Sequence, residues 1–161
     1  MWRARFFEFL PKMFDEHPKA RWVFLTLTVR NCDVKDLGGT LTLMGEAWNR
    51  LRKRELFKNV LGWVRTTEVT RSNAGEAHPH YHAVLMVKQE WFTGRGYVKH
   101  EKWVDIWQKC LKANYRPSVH IKTVTDKKKK KKAGESSSGL ERAILETLKY
   151  SVKPSDMTEN K

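Results

Sequence analysis

The feature that most constrains the fold is a pair of strand-like runs separated by a short turn-forming segment. Residues 60–70 and 83–87 are rich in β-branched and other apolar side chains, and residues 71–77 between them include serine, asparagine and glycine. Turn formers between two such runs predict an antiparallel β-hairpin, with its bend near Ala74 and Gly75.

A His-x-His motif leads into the second run. In an extended strand His80 and His82 project from one face and Tyr81 projects from the other. The hairpin places Glu68 opposite this triplet, within cross-strand range. Two imidazoles about 7 Å apart along a strand can bind one cation when a neighbouring strand supplies a third ligand. The hairpin therefore predicts a metal site, and the alternative is a chance pair of histidines on a solvated strand face.

The charge of the chain indicates a polyanionic partner. The net charge is +14, and subtracting the six lysines at 127–132 still leaves +8. Positive charge spread over the whole domain favours binding to nucleic acid, because binding releases counterions. An anionic membrane surface is the weaker alternative. We expect neither a membrane span nor a signal peptide. Cys32 and Cys110 have neither zinc spacing nor a disulfide framework, so a reducing cytoplasm is expected.

The periodicities along the chain predict an α+β fold, a mainly antiparallel sheet of four or five strands with helices packed against it. Residues 21–30 predict a central strand and 117–125 a fourth strand, in addition to the hairpin. Pro11 should kink or divide the first helix. Helical spacing of apolar side chains predicts helices at residues 2–16, 40–57, 100–112 and 140–153.

We expect residues 1–161 to form a single domain, because 40% hydrophobic residues are enough for one packed core. The chain starts abruptly inside the first predicted helix, which suggests a piece of a longer protein. Residues 126–139 combine a lysine run with glycine and serine and predict a mobile loop. Such a loop would add salt-sensitive phosphate affinity without reading the sequence.

The last predicted helix carries a polar row. Glu146, Tyr150 and Lys153 are spaced i, i+4 and i+7 and therefore share one face. A tyrosine between a carboxylate and a lysine is placed as a nucleophile would be, provided that a nearby cation or base favours the phenolate. The ordinary pKa of the phenol is about 10. The alternative interpretation is a surface tyrosine near a frayed helix end.

Together these motifs resemble the HUH endonucleases, and more narrowly the replication initiators (Rep proteins) of rolling-circle plasmids. The resemblance covers nearly the whole chain through three motifs in family order: a Leu- and Thr-rich strand at 24–31, His-hydrophobic-His at 78–82, and Tyr-x-x-Lys at 148–153. The second and third motifs are the specific part of this signal. Conjugative relaxases usually carry the tyrosine before the histidines, whereas Rep proteins and single-tyrosine transposases carry it after them, as this chain carries Tyr150.

The resemblance implies a metal site with His80 and His82 as ligands and Mg²⁺ or Mn²⁺ as the ion. Glu68 is expected as the third ligand. His78 is an additional histidine within the motif, so it could replace Glu68 as a ligand or contact DNA instead. The active site is expected on the exposed sheet face beneath the helix that carries Tyr150.

The resemblance also implies the chemistry. Tyr150 would attack a phosphodiester and form a 5′-phosphotyrosine bond, so that the chain nicks and rejoins single-stranded DNA at a rolling-circle origin. Glu146 is similar to a carboxylate that activates water in the terminating cleavage. Lys153 would either hold the phosphate or favour the phenolate.

The expected partner is single-stranded DNA or an origin hairpin, with a host helicase and polymerase as candidate further partners and no membrane. Both monomer and dimer stay open. Other functions also stay open: a single-tyrosine transposase-like strand transferase, and a non-catalytic basic module that binds single strands and would not need His80, His82 and Tyr150 together. A metal-dependent phosphodiesterase with activated water would not need Tyr150.

Overall fold

An antiparallel sheet lies at the centre of the fold. The computed structural model describes residues 2–93 and 96–124, together with Leu140 and Ile144. Within these residues the strands are β1 (Arg21–Thr28), β2 (Val60–Arg71), β3 (Ala77–Val87) and β4 (Val119–Val124), and the helices are α1 (Trp2–Glu16), α2 (Leu37–Arg52) and α3 (His100–Leu111). All neighbouring strands are antiparallel and their order is β2-β3-β1-β4. The predicted α+β class and the interior position of β1 are confirmed.

The predicted hairpin has the expected position and register. β2 and β3 pair along almost their whole length, with Glu68 opposite His80. The backbone N–H of Gly75 donates to the carbonyl of Ser72 at 2.9 Å and closes the turn. Gly75 has a φ of 83°, a left-handed conformation that glycine adopts without the steric penalty of a Cβ.

The larger core lies between the sheet and the helices α2 and α3. Its largest fully buried side chains are the indoles of Trp48, Trp103 and Trp107. Trp48 packs edge-on against Tyr81, with ring centroids 6.3 Å apart. The indole N–H of Trp107 donates to the carbonyl of Thr28 at 2.8 Å, which ties α3 to the end of β1.

The opposite face of the sheet is divided into an apolar half and a polar half. On the apolar half, Phe6 and Leu10 of α1 pack with Trp22 and Val84 of the sheet. Ile144 is fully buried in the same cluster. The chain therefore returns to this face after β4, and the polar half beside the cluster carries the histidines.

Two helix predictions need correction. The helix predicted at 40–57 begins earlier and ends earlier, at Leu37–Arg52, and Glu55–Phe57 forms a separate 3-10 turn. Of the two alternatives predicted for Pro11, division of the first helix is wrong, since α1 runs through it as one element, and a kink there stays a prediction. A proline removes one intrahelical hydrogen bond, and the burial of the neighbouring Leu10 against the sheet holds both halves of the helix in place.

Two other predictions fall largely outside the described residues. The loop predicted at 126–139 lies outside them, and of the helix predicted at 140–153 only Leu140 and Ile144 are described, both as helical. None of the helices within the described ranges combines the length and the apolar character needed to cross a bilayer.

Replacement of Leu25 tests the assignment of β1 to the core. Leu25 is fully buried, so Leu25→Ala should leave a cavity and lower the free energy of unfolding by about 2–5 kcal/mol. Leu43 on α2 is 43% exposed, and Leu43→Ala should change it by less than about 0.5 kcal/mol. Urea denaturation measures both, and equally small losses would contradict the core position of β1.

Candidate metal centre

Three side chains with metal-ligand chemistry converge on the polar half of the sheet. His80 and His82 lie two residues apart on β3, and strand alternation turns both to the same face. The β2–β3 register brings Glu68 to that face, where its Oε2 lies 2.6 Å from Nε2 of His80 and 2.7 Å from Nε2 of His82. The candidate ligand atoms all lie within 4.8 Å of one another. The structure thus brings together the three residues that the sequence nominated; we call them the triad.

The triad has a donor set that fits a divalent cation. Two imidazole nitrogens and a carboxylate oxygen suit such ions, and three protein donors leave coordination positions for water or a phosphate oxygen. The side chains of His80, His82 and Glu68 are only 12%, 15% and 10% exposed. Partial burial limits competition from solvent for these donors.

His82 is held in position by two residues of β1. Its Nδ1 lies 3.2 Å from Oγ1 of Thr26, and its ring stacks on Phe24 with centroids 5.6 Å apart and planes within 4°. Without a cation, Nε2 carries the proton and donates it to Glu68; with a cation bound at Nε2, the proton would lie on Nδ1 and be donated to Thr26. Thr26 and Phe24 therefore orient His82 as a ligand.

The electrostatics of the triad favour the protonation states that bind a metal. Burial opposes ionisation of Glu68, but hydrogen bonds from His82 and His80 outweigh it and lower the pKa of Glu68. Burial lowers the pKa of His82, and this effect exceeds the opposing effect of the hydrogen bond that His82 donates to Glu68. Near neutral pH Glu68 is therefore a carboxylate and His82 a neutral imidazole.

His78 lies beside the triad and has partners of its own. Its Nδ1 hydrogen-bonds to Oδ1 of Asn31, and Asn31 donates through Nδ2 to Oε2 of Glu76 at 3.3 Å. Its ring lies 5.3 Å from that of His80. Of the two candidates for a third ligand, Glu68 is the one whose oxygen meets both nitrogens.

The remaining predicted site residues, Glu146, Tyr150 and Lys153, lie outside the described residues. The described residue nearest to them in sequence is Ile144, which is buried on the same sheet face as the triad. Phe24 packs on the cluster that contains Ile144 and also stacks on His82. Packed side chains therefore connect the triad to the segment that precedes the tyrosine.

Sequence reasoning missed the supporting residues of the site. The alternation of Phe24 and Thr26 with Leu25 and Leu27 indicates that they share a face, but it does not identify the neighbouring strand. Asn31 stands at the end of the first motif, and nothing local to it indicates the contact with His78, 47 residues away.

The fold and the triad define a class of protein, an α+β domain with a candidate divalent-metal site on one face of an antiparallel sheet. The whole chain, residues 1–161, matches the profile of a family described as "Replication protein". The chain belongs to this replication protein family.

Curated relatives carry matching names. The chain is 41% identical over 151 residues to a "Protein rep" of Streptococcus pneumoniae, covering 91% of this chain and 44% of the relative. It is 37% identical over 143 residues to a "Protein rep" of Lactiplantibacillus plantarum, with coverages of 86% and 44%. A "Replication protein" of Staphylococcus aureus is 34% identical over 154 residues, with coverages of 92% and 63%. The chain thus spans about half the length of these relatives. No solved structure gives a significant match.

Replacement of Thr26 tests its role in orienting His82. Thr26→Val keeps the shape of the side chain and removes the hydroxyl, so metal affinity should fall about 10- to 100-fold, as is usual when a partner of a ligating histidine is lost. Isothermal titration with Mn²⁺ measures the change. Thr67→Val is the matched control, because Thr67 pairs with Tyr81 and is exposed on the other face; equal affinities for the two variants would contradict the role of Thr26.

The pH dependence of metal binding tests the ligand assignment. Protonated imidazoles cannot bind a metal, so Mn²⁺ affinity should decline with falling pH, and the part of the decline that comes from His82 should lie below about 6.5, the ordinary histidine pKa. The lowered pKa of His82 delays its own protonation to more acidic pH, and the lowered pKa of Glu68 keeps the carboxylate ionised there. Titrations between about pH 7.5 and 5 measure this, and an unchanged affinity would exclude histidine ligands.

Proposed function

We propose that this chain is the catalytic domain of a plasmid replication initiator of the HUH endonuclease type. It would nick and rejoin single-stranded DNA at a rolling-circle origin through a covalent 5′-phosphotyrosine intermediate. The observation that carries the proposal is the convergence of His80, His82 and Glu68, with Oε2 of Glu68 within 2.7 Å of both imidazole nitrogens. Membership of the replication protein family supports it, and so do the names of the relatives.

The charge of the chain supports DNA as the substrate. A net charge of +14 favours a polyanion through counterion release. A single strand or an extruded hairpin can lay a flexible phosphate backbone across a sheet face. A melted or hairpin origin is therefore the proposed substrate.

The triad would hold Mg²⁺ or Mn²⁺, and a bound divalent ion polarises a nonbridging oxygen of the scissile phosphate. Glu68 supplies a negative charge that favours a cation there, and the Nε2 atoms of His80 and His82 complete the set of three donor atoms. Thr26 and Phe24 keep His82 in the ligating orientation.

Tyr150 is the proposed nucleophile. Its phenolic oxygen would attack phosphorus, the bond from phosphorus to the 3′ oxygen would break, and the 3′ oxygen would take up a proton while the phenol loses one. One phosphodiester replaces another, so the step is nearly balanced in free energy and the same site can rejoin strands. Lys153 would hold the phosphate or favour the phenolate, and Glu146 would activate water in the terminating cleavage.

The position of Ile144 supports this role for Tyr150. Ile144 is buried on the triad's face of the sheet. Six residues of extended chain span at most about 22 Å, so the chain length limits the distance of Tyr150 from Ile144 to that value.

A covalent-adduct assay tests the proposal. A labelled single-stranded origin oligonucleotide is incubated with the protein and Mn²⁺ and separated on a denaturing gel. The wild type should give a slow protein–DNA band that survives boiling, and the band should vanish in Tyr150→Phe and in His80→Ala/His82→Ala. Tyr97→Phe is the matched control, since Tyr97 is 59% exposed, and it should retain the adduct.

Each other result favours a different function. Cleavage without an adduct that persists in Tyr150→Phe would indicate a phosphodiesterase with metal-activated water. Binding without cleavage across several candidate origins would indicate a basic binding module. An adduct that transfers efficiently to a second, unrelated DNA end would favour a transposase-like strand transferase.

A further inference from the structure

The strand pairing aligns His82 of β3 with Thr26 of β1 and with one residue of β4. Thr26 of β1 pairs with His82 on one side and with His120 of β4 on the other. Residues paired across antiparallel strands point to the same face, and the contact between Thr26 and His82 shows which face this is. His120 therefore shares the face of the triad, two strands away from His82.

Lys122 lies on the same face, two residues after His120 on β4. It pairs with Phe24, whose ring stacks on His82. The alternate residues of β4, Val119 and Ile121, pack in the core on the opposite side of the sheet. Both His120 and Lys122 are exposed.

Arg30 adds a fixed cation near the end of β1. It lies two residues beyond Thr28, which pairs with His80. Its guanidinium carbon lies 4.3 Å from the centroid of the Tyr115 ring, and its backbone N–H donates to the Tyr115 hydroxyl at 3.0 Å. Stacking on an aromatic ring restricts the conformations of a guanidinium and leaves its positive charge intact. Arg30 is therefore positioned to bind an anion.

No carboxylate of the described residues pairs with Arg30 or Lys122, the two cations of this group. Across residues 2–93 and 96–124, no ion pair involves Arg30, His120 or Lys122. On the other side of the triad, Arg65 of β2 points to the opposite face of the sheet. Its guanidinium carbon lies 3.9 Å from the centroid of the Tyr81 ring, which is on that face. The positions that β2 contributes to the triad's face are Gly62, Val64, Thr66, Glu68 and Thr70, which include no cation. Positive charge therefore flanks the triad on the β4 side.

We propose that Arg30, His120 and Lys122 bind the DNA phosphates next to the scissile one, so that the single strand crosses the sheet from β3 over β1 to β4. This inference rests on the proposed function, because the triad defines where the scissile phosphate lies. Two strand spacings place β4 about 10 Å from β3. That distance corresponds to about three nucleotides of a stacked strand and fewer of an extended one.

The apolar half of the face restricts the path of the strand. Phe6 and Leu10 of α1 pack over Trp22 and Val84 with Ile144 and occupy that half. A strand bound at the triad is therefore directed across the polar half, over Thr26 and Thr28, rather than along β3 towards Met86.

Binding measurements with neutralised phosphates test the inference. Fluorescence anisotropy of a single-stranded origin oligonucleotide is measured over a range of salt concentrations for the wild type, Lys122→Gln and Arg30→Gln. Each lost phosphate contact should reduce the slope of log affinity against log salt by about 0.7. Lys102→Gln is the matched control, since Lys102 is an exposed residue of α3 beside Leu56, on the helical side of the sheet, and it should keep the wild-type slope.

A methylphosphonate scan then locates the contact. Single neutral linkages are placed in turn along the oligonucleotide. In the wild type and in Lys102→Gln one such linkage, about one to three nucleotides from the scissile phosphate, should weaken binding. In Lys122→Gln the same linkage should have no further effect. Two results together would overturn the inference. Lys122→Gln and Arg30→Gln would show the same salt slope as Lys102→Gln, and the neutral linkage would weaken binding in Lys122→Gln as much as in the wild type.

The two proposals fail separately. Adduct formation by the wild type, with binding that does not depend on Lys122 or Arg30, would keep the nuclease and reject this DNA path. A linkage effect that disappears in Lys122→Gln, without any adduct in the wild type, would keep the phosphate contact and reject the nuclease.

Discussion

The antiparallel pairing of β2 with β3 is the interaction on which the rest of the site depends. It places Glu68 opposite His80, and the triad exists only in this register. Side chains alternate between faces, so a slip of one residue would turn Glu68 towards the helices and leave the histidines without their carboxylate. The turn at Gly75 holds the register at one end. At the other end Val87 is fully buried in the core, which resists the same slip.

The two faces of the sheet differ: one packs against α2 and α3 in the larger core, and the other carries the triad. The face towards α2 and α3 contains the large indoles of Trp48, Trp103 and Trp107 and accounts for most of the buried apolar surface. On the opposite face, the described residues of α1 and Ile144 form an apolar cover over one half, and the other half holds the polar side chains of the triad. Phe24 lies at the border and belongs to both halves. Packing of Phe24 on the apolar half thereby orients the imidazole of His82 on the polar half. The β4 residues His120 and Lys122 pair with Thr26 and Phe24 and so lie on the same face.

Much of the site could be predicted because its central contacts are local. Glu68 and His82 are only 14 residues apart, and a short turn with alternating strands brings them together without knowledge of the rest of the chain. The contacts that support the triad could not be predicted in this way. Thr26 is 56 residues from His82 and Asn31 is 47 residues from His78, and no local pattern specifies which distant strands pair. Helix boundaries are also hard to predict: the helix predicted at 40–57 begins at Leu37, so Gly38 and Gly39 lie inside its first turn.

The sequence by itself determined the hairpin, the shared face of His80 and His82, and the orientation of Tyr81 towards the other face, because strand alternation and turn chemistry act over a few residues. Only the tertiary structure decided the strand order β2-β3-β1-β4. That order places β1 between the histidines and the basic residues of β4, and so sets both the support of His82 and the position of Lys122. Strand order depends on which arrangement buries both apolar faces at once, and this is a property of the whole chain rather than of any segment.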